Sequence, residues 1–275
     1  MDDGRPTTWH YGLVARWWAE TNVAEPDELA YYGGAIDRAG GPALDLGCGA
    51  GRLLVPLLAA GRDVDGVDVS RDMLDRAIEV GAASSVDLTG RLHAQAFDAL
   101  ELPRRYGTIY CSDSFAIGGS RARDEKALRR VLNHLEPGGA FVFSYDLPEE
   151  VPASTDLPWP WAEQRRRRRL LDGDELELAT RLAALDLEAG VETLEIQVRL
   201  WRGATLLAEE TGVLQTMRYE REDLVRMLGA AGFVEVAIEG RYTRREAAPD
   251  DATIVAVARR PPAGDSTPSR PSRNP

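Results

Sequence analysis

The sequence predicts an α/β fold in which helices cover a parallel sheet and an antiparallel sheet is inserted near the end of the chain. Short apolar segments alternate with helical segments between residues 42 and 146, which is the pattern of consecutive βαβ units. Between residues 165 and 219, apolar residues recur at every second position, as in antiparallel strands with one buried face. A helix and two strands at residues 220–259 complete the pattern.

Each element is predicted from apolar periodicity and from the residues that begin or end helices. Helices are expected at residues 11–21, 26–39, 52–60, 71–80, 124–135 and 220–231. The seven strands of the main sheet are expected at residues 43–46, 64–69, 92–97, 108–112, 140–145, 234–239 and 253–258. Ser70 is a suitable N-cap for the helix that follows it, and Pro56 should bend the third helix by removing one backbone hydrogen bond.

Composition and charge disfavour several classes of protein. With 33 basic and 45 acidic residues, the chain has a formal charge of −12, which argues against nucleic acid as a partner. It has no apolar run long enough to span a membrane and no apolar segment of a signal peptide, so we expect no membrane partner and a cytoplasmic location. Its two cysteines, Cys48 and Cys111, make no disulfide framework.

The segment from Leu44 to Arg52 carries the strongest functional signal. It ends a predicted strand, begins a predicted helix and places glycines at positions 47, 49 and 51, where the backbone can turn sharply and approach a ligand. Asp68 ends the next strand, where a carboxylate can accept hydrogen bonds from both ribose hydroxyls of a nucleoside. A dinucleotide would need a G-x-G-x-x-G spacing, which is absent, and Asp45 would repel a pyrophosphate but hold an ammonium group.

The order of these motifs resembles that of the class I S-adenosylmethionine-dependent methyltransferases of the small-molecule type. The resemblance is carried by residues 45–51 and 66–70 and extends over residues 9–146 and 219–259. It implies a Rossmann-like seven-stranded sheet, S-adenosyl-L-methionine as the cofactor and S-adenosyl-L-homocysteine as the product. The residues that it implies for cofactor binding are Tyr11, Asp45, Gly47, Cys48, Gly49, Gly51, Asp68, Val69, Met73, Phe97, Asp98, Ala99 and Ser112.

The same resemblance implies a role for individual residues. Asp45 and the glycine turn would hold the methionine end of the cofactor, and Asp68 would accept the ribose hydroxyls. Asp98 would lie near the adenine amino group. Tyr11 would help to cover the cofactor carboxylate, as a tyrosine near the N-terminus does in many small-molecule members of the family.

The acceptor is predicted less specifically than the cofactor. Methyl transfer requires alignment of donor and acceptor and exclusion of water, and an acceptor that carries a proton also needs a base. Asp113 and Tyr145, at the ends of the fourth and fifth strands, are the candidate catalytic residues, whereas His10 is expected on the surface. Residues 111–116 lack the family's Asn/Asp-Pro-Pro-Tyr/Phe signature, which argues against adenine or glutamine methylation. No cluster of residues has metal-binding spacing, so no metal is expected.

Pattern and resemblance together divide the chain into five expected parts. These are an N-terminal helical lid at residues 1–41, the cofactor-binding Rossmann-like core at 42–146, an inserted antiparallel sheet at 147–219, the end of the core at 220–259 and a disordered tail at 260–275. In similar methyltransferases, such an inserted sheet covers the acceptor or forms a dimer interface, so a homodimer is one expectation. The arginines at 165–169 are expected to form a solvated, salt-bridged strand.

Three functions stay open at this point. The preferred one is transfer of a methyl group to an oxygen or nitrogen atom of a small-molecule acceptor, such as a secondary metabolite or an amino sugar. The alternative is a protein that binds S-adenosylmethionine without methylating, as a regulator or as a lyase or cyclase that uses the sulfonium charge. A nicotinamide oxidoreductase is the third, and the spacing of the glycines disfavours it.

Overall fold

The computed structural model describes residues 8, 10–149, 156–170 and 172–263. The expected disordered tail therefore lies outside the described residues from position 264 onward. The helices are α1 (Gly12–Thr21), α2 (Pro26–Ala39), α3 (Leu54–Ala59), α4 (Arg71–Ala83), α5 (Arg121–His134) and α6 (Arg221–Ala231). The strands are β1 (Ala43–Leu46), β2 (Val64–Asp68), β3 (Leu92–Ala94), β4 (Tyr106–Cys111), β5 (Leu135–Asp146), β6 (Arg166–Arg169), β7 (Glu175–Asp186), β8 (Val191–Arg202), β9 (Thr205–Met217), β10 (Val234–Gly240) and β11 (Thr253–Arg259).

The strands form two separate sheets. Seven strands make a main sheet in the order β10-β11-β5-β4-β1-β2-β3, and four make a second sheet in the order β6-β7-β8-β9. Strands β1 to β5 run parallel to one another, whereas β11 is antiparallel to both β5 and β10. All neighbours in the second sheet are antiparallel. The predicted α/β fold with an inserted antiparallel sheet is confirmed.

The order of the main sheet positions a ligand site. The chain builds outward in one direction through β1, β2 and β3 and in the other through β4 and β5. The order therefore reverses between β1 and β4, and ligands of such sheets bind at the carboxyl ends of the strands beside this reversal. In this chain those ends are followed by Gly47 and by Ser112.

Apolar side chains pack on both faces of the main sheet. Leu44 and Leu46 of β1 belong to a cluster with residues of α5 and α6. Ala43 belongs to a second cluster with residues of α2, α3 and α4. A third cluster joins the second sheet to α1, in which Val14 and Trp17 contact the apolar face of β7 and β8. The N-terminal helix is therefore held by the inserted sheet.

Several predicted bounds are wrong. Helix α5 begins at Arg121 instead of residue 124, and strand β5 begins at Leu135 instead of residue 140. Helix α3 begins at Leu54 instead of residue 52, which puts Pro56 in its first turn. Backbone N–H groups there have no partner inside the helix, so Pro56 removes no hydrogen bond within α3. The third strand ends at Ala94, three residues early, and residues 97–99 form a short 3₁₀ turn. No helix of the described residues has the length and apolar character needed to cross a membrane.

Candidate active site

A cavity of about 430 Å³ opens at the reversal of strand order. Its walls come from the turn after β1, the ends of β2 and β4, the segment before α1, and strand β9. Ten of the residues predicted for the site line it, namely Gly47, Cys48, Gly49, Asp68, Val69, Met73, Phe97, Asp98, Ser112 and Asp113. One cavity thus brings together most of the predicted site residues, although they lie far apart in the sequence.

The glycine turn has a backbone that side chains would obstruct. Gly47, Gly49 and Gly51 have φ angles of +84°, +52° and +82°, in the left-handed region that glycine adopts without strain. A Cβ on Gly47 would lie 2.6 Å from the Cβ of Ser114. The backbone N–H groups of Gly47 and Cys48 both donate to the carbonyl of Val67, at 2.7 and 2.9 Å, which fixes the turn to β2.

Asp68 lies at the centre of the cavity wall. Its two carboxylate oxygens accept hydrogen bonds from the backbone N–H groups of Gly49, at 2.9 Å, and Ser70, at 2.8 Å. Burial raises the pKa of Asp68, and these backbone N–H groups oppose that rise. Each carboxylate oxygen has a second lone pair, so Asp68 can still accept hydrogen bonds from a ligand. Ser70 also caps α4 by accepting from the N–H of Met73, as predicted.

Asp45 and Gly51 are not among the described residues that line the cavity. Asp45 is buried, and this burial raises its pKa to about 7. A Cβ on Gly51 would lie 3.0 Å from Val55, so this glycine permits the close packing of the turn on α3. Their predicted contacts with a cofactor stay predictions.

Three further predicted residues lie outside the wall that the described residues form. Tyr11 is the N-cap residue of α1, and Ala99 ends the 3₁₀ turn as an exposed residue. The hydroxyl of Tyr145 donates to the carbonyl of Met217, at 2.8 Å, and accepts from the N–H of Tyr219, at 2.9 Å. Tyr145, near the end of β5, therefore bonds to the segment that follows the inserted sheet. Its catalytic role stays a prediction.

Asp98 lines the cavity but has partners on α5. Its carboxylate lies 3.1 Å from Arg123 and 3.9 Å from Lys126. Partial burial would raise the pKa of Asp98, but the hydrogen bond and charge of Arg123 outweigh it and hold this pKa below its usual value. A ligand amino group at Asp98 would therefore share the carboxylate with Arg123.

Asp113 and Asp146 place two carboxylates at the ends of neighbouring strands, and both line the cavity. Asp113 accepts a hydrogen bond from the hydroxyl of Ser144 at 2.6 Å, and Asp146 accepts one from Thr253 at 2.6 Å. Burial raises the pKa of Asp113, while the Ser144 hydrogen bond and the charge of Arg52 oppose the rise. This end of the cavity can bind a cation or accept a proton.

Several residues of the site were not predicted from the sequence. Trp18 and Asn22 bring the end of α1 to the cavity, and Asp124 of α5 lines it with a hydrogen bond from Tyr219 at 2.7 Å. The indole N–H of Trp18 is buried without a hydrogen-bond partner among the described residues. None of these positions has a sequence signal, because each side chain reaches the cavity only through tertiary packing.

His10 also lines the cavity, so its expected place on the surface is wrong. Burial lowers the pKa of His10 to about 4, which leaves its imidazole neutral at physiological pH. Its carbonyl accepts a hydrogen bond from Ser70, which joins the segment before α1 to the start of α4. Among the described residues, no group of three or more His, Cys, Asp or Glu is arranged to hold a metal ion.

Comparison with known proteins agrees with this geometry. Residues 43–139 match a family described as a methyltransferase domain. A ubiquinone biosynthesis O-methyltransferase of Xanthomonas oryzae pv. oryzae is 27% identical over 139 residues, which are 48% of this chain and 56% of that protein. A counterpart from Methylococcus capsulatus is 27% identical over 135 residues, or 47% of this chain and 56% of that protein. The chain thus spans about half the length of the curated relatives it matches.

Solved structures share the fold at low sequence identity. An S-adenosylmethionine-dependent methyltransferase from Clostridium acetobutylicum superposes with a TM-score of 0.70 at 17% identity, covering 90% of this chain and 97% of that one. The sugar N-methyltransferase KedS8 from Streptoalloteichus gives 0.66 at 19% identity, covering 88% and 91%. The amino pentose methyltransferase CalS10 from Micromonospora echinaspora gives 0.62 at 22% identity, covering 92% and 98%. Residues 43–139 thus match a methyltransferase domain, and the chain shares its fold with S-adenosylmethionine-dependent methyltransferases.

Proposed function

We propose that this protein transfers a methyl group from S-adenosylmethionine to an oxygen or nitrogen atom of a small-molecule acceptor, with amino sugars and other secondary metabolites as the leading class. The observation that carries the proposal is a single cavity whose wall has two chemically different parts. The glycine turn and Asp68 form one part, and the carboxylates of Asp113 and Asp146 form the other. A cofactor and an acceptor bound at these two parts would share one cavity.

The part of the cavity wall formed by the glycine turn and Asp68 fits the cofactor. The turn offers backbone without side chains, Asp68 has spare acceptor capacity for ribose hydroxyls, and Val69 and Met73 supply apolar surface for an adenine. Charge fits as well, because S-adenosylmethionine is cationic at its sulfonium. The charged lining residues are five acids and two arginines, namely Asp68, Asp98, Asp113, Asp124, Asp146, Arg52 and Arg123.

When bound, S-adenosylmethionine supplies an electrophilic methyl group on a positively charged sulfur. The protein must then align the acceptor and exclude water. Trp18 of α1, together with Asn22, Ile117 and Leu214, also lines the cavity. A cavity of this size suits a compact acceptor better than a macromolecule. Asp113 lines the same cavity, where it can hold an acceptor ammonium group or take the proton that the acceptor loses.

The relatives support the choice of acceptor class. Curated relatives include O-methyltransferases of ubiquinone biosynthesis, whereas the structural neighbours include a sugar N-methyltransferase and an amino pentose methyltransferase. The paired carboxylates Asp113 and Asp146 favour an acceptor that carries an amine, since an ammonium group forms charge-assisted hydrogen bonds with carboxylates.

The test is transfer of isotope from methyl-labelled S-adenosylmethionine to a panel of amino sugars, other amines and phenols, with release of S-adenosylhomocysteine measured in parallel. We expect labelled product and equal release of S-adenosylhomocysteine with at least one amine. Asp113→Asn should lower the turnover at least tenfold while cofactor binding persists. Asp156→Asn, which changes an exposed acid of the loop after β5, is the matched control and should behave as the native protein does. Tight cofactor binding with no labelled product from any acceptor would instead support a protein that binds without methylating.

A further inference from the structure

Glu28 is a buried acid at the centre of a polar network behind the cavity. It is 3% exposed, although it lies in the first turn of α2, where acids are usually solvated. Its carboxylate accepts hydrogen bonds from the hydroxyls of Ser112, at 2.7 Å, and Tyr242, at 3.2 Å, and it forms an ion pair with Arg52. A buried carboxylate requires such partners, so Glu28 fixes the place of the Arg52 guanidinium.

Arg52 connects this buried acid to the cavity. It directly follows Gly51, the last glycine of the turn, and its side chain is only 16% exposed. One nitrogen of the guanidinium pairs with Glu28, while the other lies 2.8 Å from the Ser112 hydroxyl and 3.3 Å from the Asp113 carboxylate. The planar guanidinium thus spans the distance between a buried acid on α2 and an acid in the cavity.

Asp113 has a backbone conformation that needs support. Its φ angle is +55°, in the left-handed region that residues other than glycine adopt at an energetic cost. The N–H of Asp113 donates to the Ser144 hydroxyl at 2.9 Å, and this hydroxyl donates back to the Asp113 carboxylate at 2.6 Å. Ser144 therefore holds one carboxylate oxygen, and Arg52 contacts the other.

We propose that Arg52 is a positioning residue that holds the carboxylate of Asp113 in place and ionised, and so links the glycine turn to the part of the cavity wall proposed to bind the acceptor. The proposal rests on the proposed function, because it gives Asp113 a use in acceptor binding or proton transfer. Arg52 also lines the cavity, but the role proposed for it is exerted through Asp113. A residue that directly follows the glycine turn thereby contributes to the charge state of this carboxylate.

The groups around Asp113 act on its pKa in opposite directions, and Arg52 supplies a positive charge in direct contact with it. Asp113 is faced by Asp146 from β5, Glu28 from α2, and Arg241 and Tyr242 from the segment after β10. The acids and burial favour its protonated form, whereas the Ser144 hydrogen bond and Arg52 favour its charged form. Among the described residues, Asp113 forms an ion pair only with Arg52.

The test is a pH titration of the aspartate side-chain carboxyl carbons by ¹³C NMR, in protein labelled at the aspartate Cγ. The Asp113→Asn spectrum identifies the Asp113 resonance. We expect the pKa of Asp113 to rise by about one unit or more in Arg52→Gln, because a contacting cation lowers a carboxyl pKa by roughly that amount. Arg52→Lys keeps the charge and should restore part of the shift. A general loss of packing would instead shift many aspartate resonances, and the Arg52→Lys variant would not restore their native positions.

Arg62→Gln is the matched control. Arg62 forms a bidentate ion pair with Asp37, at 2.8 and 2.9 Å, and is not among the described residues that line the cavity. This control should leave the titration of Asp113 unchanged. If Arg52→Gln does not fold, the double variant Glu28→Gln/Arg52→Gln removes the unpaired buried acid as well. The pKa of Asp113 should still rise there, because Arg52 contacts Asp113 directly.

An unchanged pKa of Asp113 in the folded Arg52→Gln protein, or in the double variant, would overturn the proposal. Calorimetric titration of the native protein with S-adenosylhomocysteine keeps this outcome separate from the proposed function. Absence of binding there would contradict the proposed cofactor, whereas the NMR titration tests the Arg52–Asp113 relationship without any ligand.

Discussion

The carboxylate of Asp68 accepts a hydrogen bond of 2.9 Å from the backbone N–H of Gly49, so one side chain both shapes the glycine turn and faces the cavity. Asp68→Ala removes this contact and the contact with Ser70, along with the acceptor proposed for the ribose hydroxyls. We expect the affinity for S-adenosylhomocysteine to fall about a hundredfold, since hydrogen bonds to a charged group contribute roughly 1.5–3 kcal/mol each. Isothermal titration calorimetry measures this directly.

Asp63→Ala is the control for that experiment. Asp63 directly precedes β2 and forms ion pairs with Arg91 and Arg104 on the surface, at 2.8 and 2.7 Å. Its loss should leave cofactor affinity unchanged. Equal weakening in the two variants would show that Asp68 acts through general stability.

Gly47→Ala should damage both stability and cofactor binding. The added Cβ would lie 2.6 Å from the Cβ of Ser114, and the φ angle of +84° is strained for alanine. Gly61→Ala is matched to it, with a φ angle of +82° but no atom within 4 Å of the added Cβ. Urea unfolding should show a loss for Gly47→Ala that exceeds the loss for Gly61→Ala by about 1–3 kcal/mol. Equal losses would mean that the turn tolerates a side chain.

The stability of the protein should depend on pH through Asp124. Burial raises the pKa of Asp124 to about 7, despite the hydrogen bond from Tyr219 and the charges of Arg123 and Arg121. In the unfolded chain an aspartate titrates near 4, so the folded state binds the proton more tightly over this interval. The stabilisation is therefore present below about pH 4 and is lost as the pH rises toward about 7.

Asp124→Asn should flatten this dependence. We expect the difference in free energy of unfolding between about pH 5 and pH 8 to shrink by on the order of 1–3 kcal/mol. Urea titrations of the native protein, Asp124→Asn and the exposed-site control Asp156→Asn at both pH values make the comparison. Parallel behaviour of Asp124→Asn and the native protein would contradict the assignment.

The N-terminus of α1 is held by carboxylates from two other elements. Glu210 of β9 accepts from the N–H of Leu13 at 2.7 Å, and Asp72 of α4 accepts from the N–H of Gly12 at 2.7 Å. Glu210→Ala should cost about 1 kcal/mol, as the loss of a helix cap does, and accelerate hydrogen exchange in α1. Its neighbour Glu209 bonds to Gln197 and Arg199 on the other face of the sheet, so Glu209→Ala should leave α1 unchanged. Similar hydrogen exchange of α1 in Glu210→Ala and Glu209→Ala would contradict a specific role of Glu210 in holding this helix.

The main elements could be predicted from the sequence because their signals are local. Pro26 and Gly40 mark both ends of α2, and Ser70 caps α4 as its hydroxyl predicts. Alternation of apolar residues in β7 and β8 predicts the inserted sheet, because one of its faces packs against α1. The prediction for Pro56 failed because the start of α3 was placed two residues too early. A proline is compatible with the first turn of a helix, and the sequence does not show where that turn begins.

The site could be predicted only on its cofactor side. The glycine turn and Asp68 have fixed spacing, because the backbone itself must approach the ligand there. Much of the remaining cavity wall comes from α1, α5 and β9, which meet only after folding. Glu28 shows the difficulty, since an acid in the first turn of a helix is normally explained by the helix dipole, and nothing in the sequence indicates that it is buried.

The place of β11 between β5 and β10 has a consequence for biosynthesis. β5 ends at Asp146 and β11 begins at Thr253, so the whole inserted sheet leaves the ribosome before the partner of β5 does. Throughout that interval, the nascent chain presents an open and apolar strand edge that includes Phe141 and Phe143. We therefore expect slow synthesis of residues 147–252 to prolong the exposure of this edge and to favour aggregation of the nascent chain.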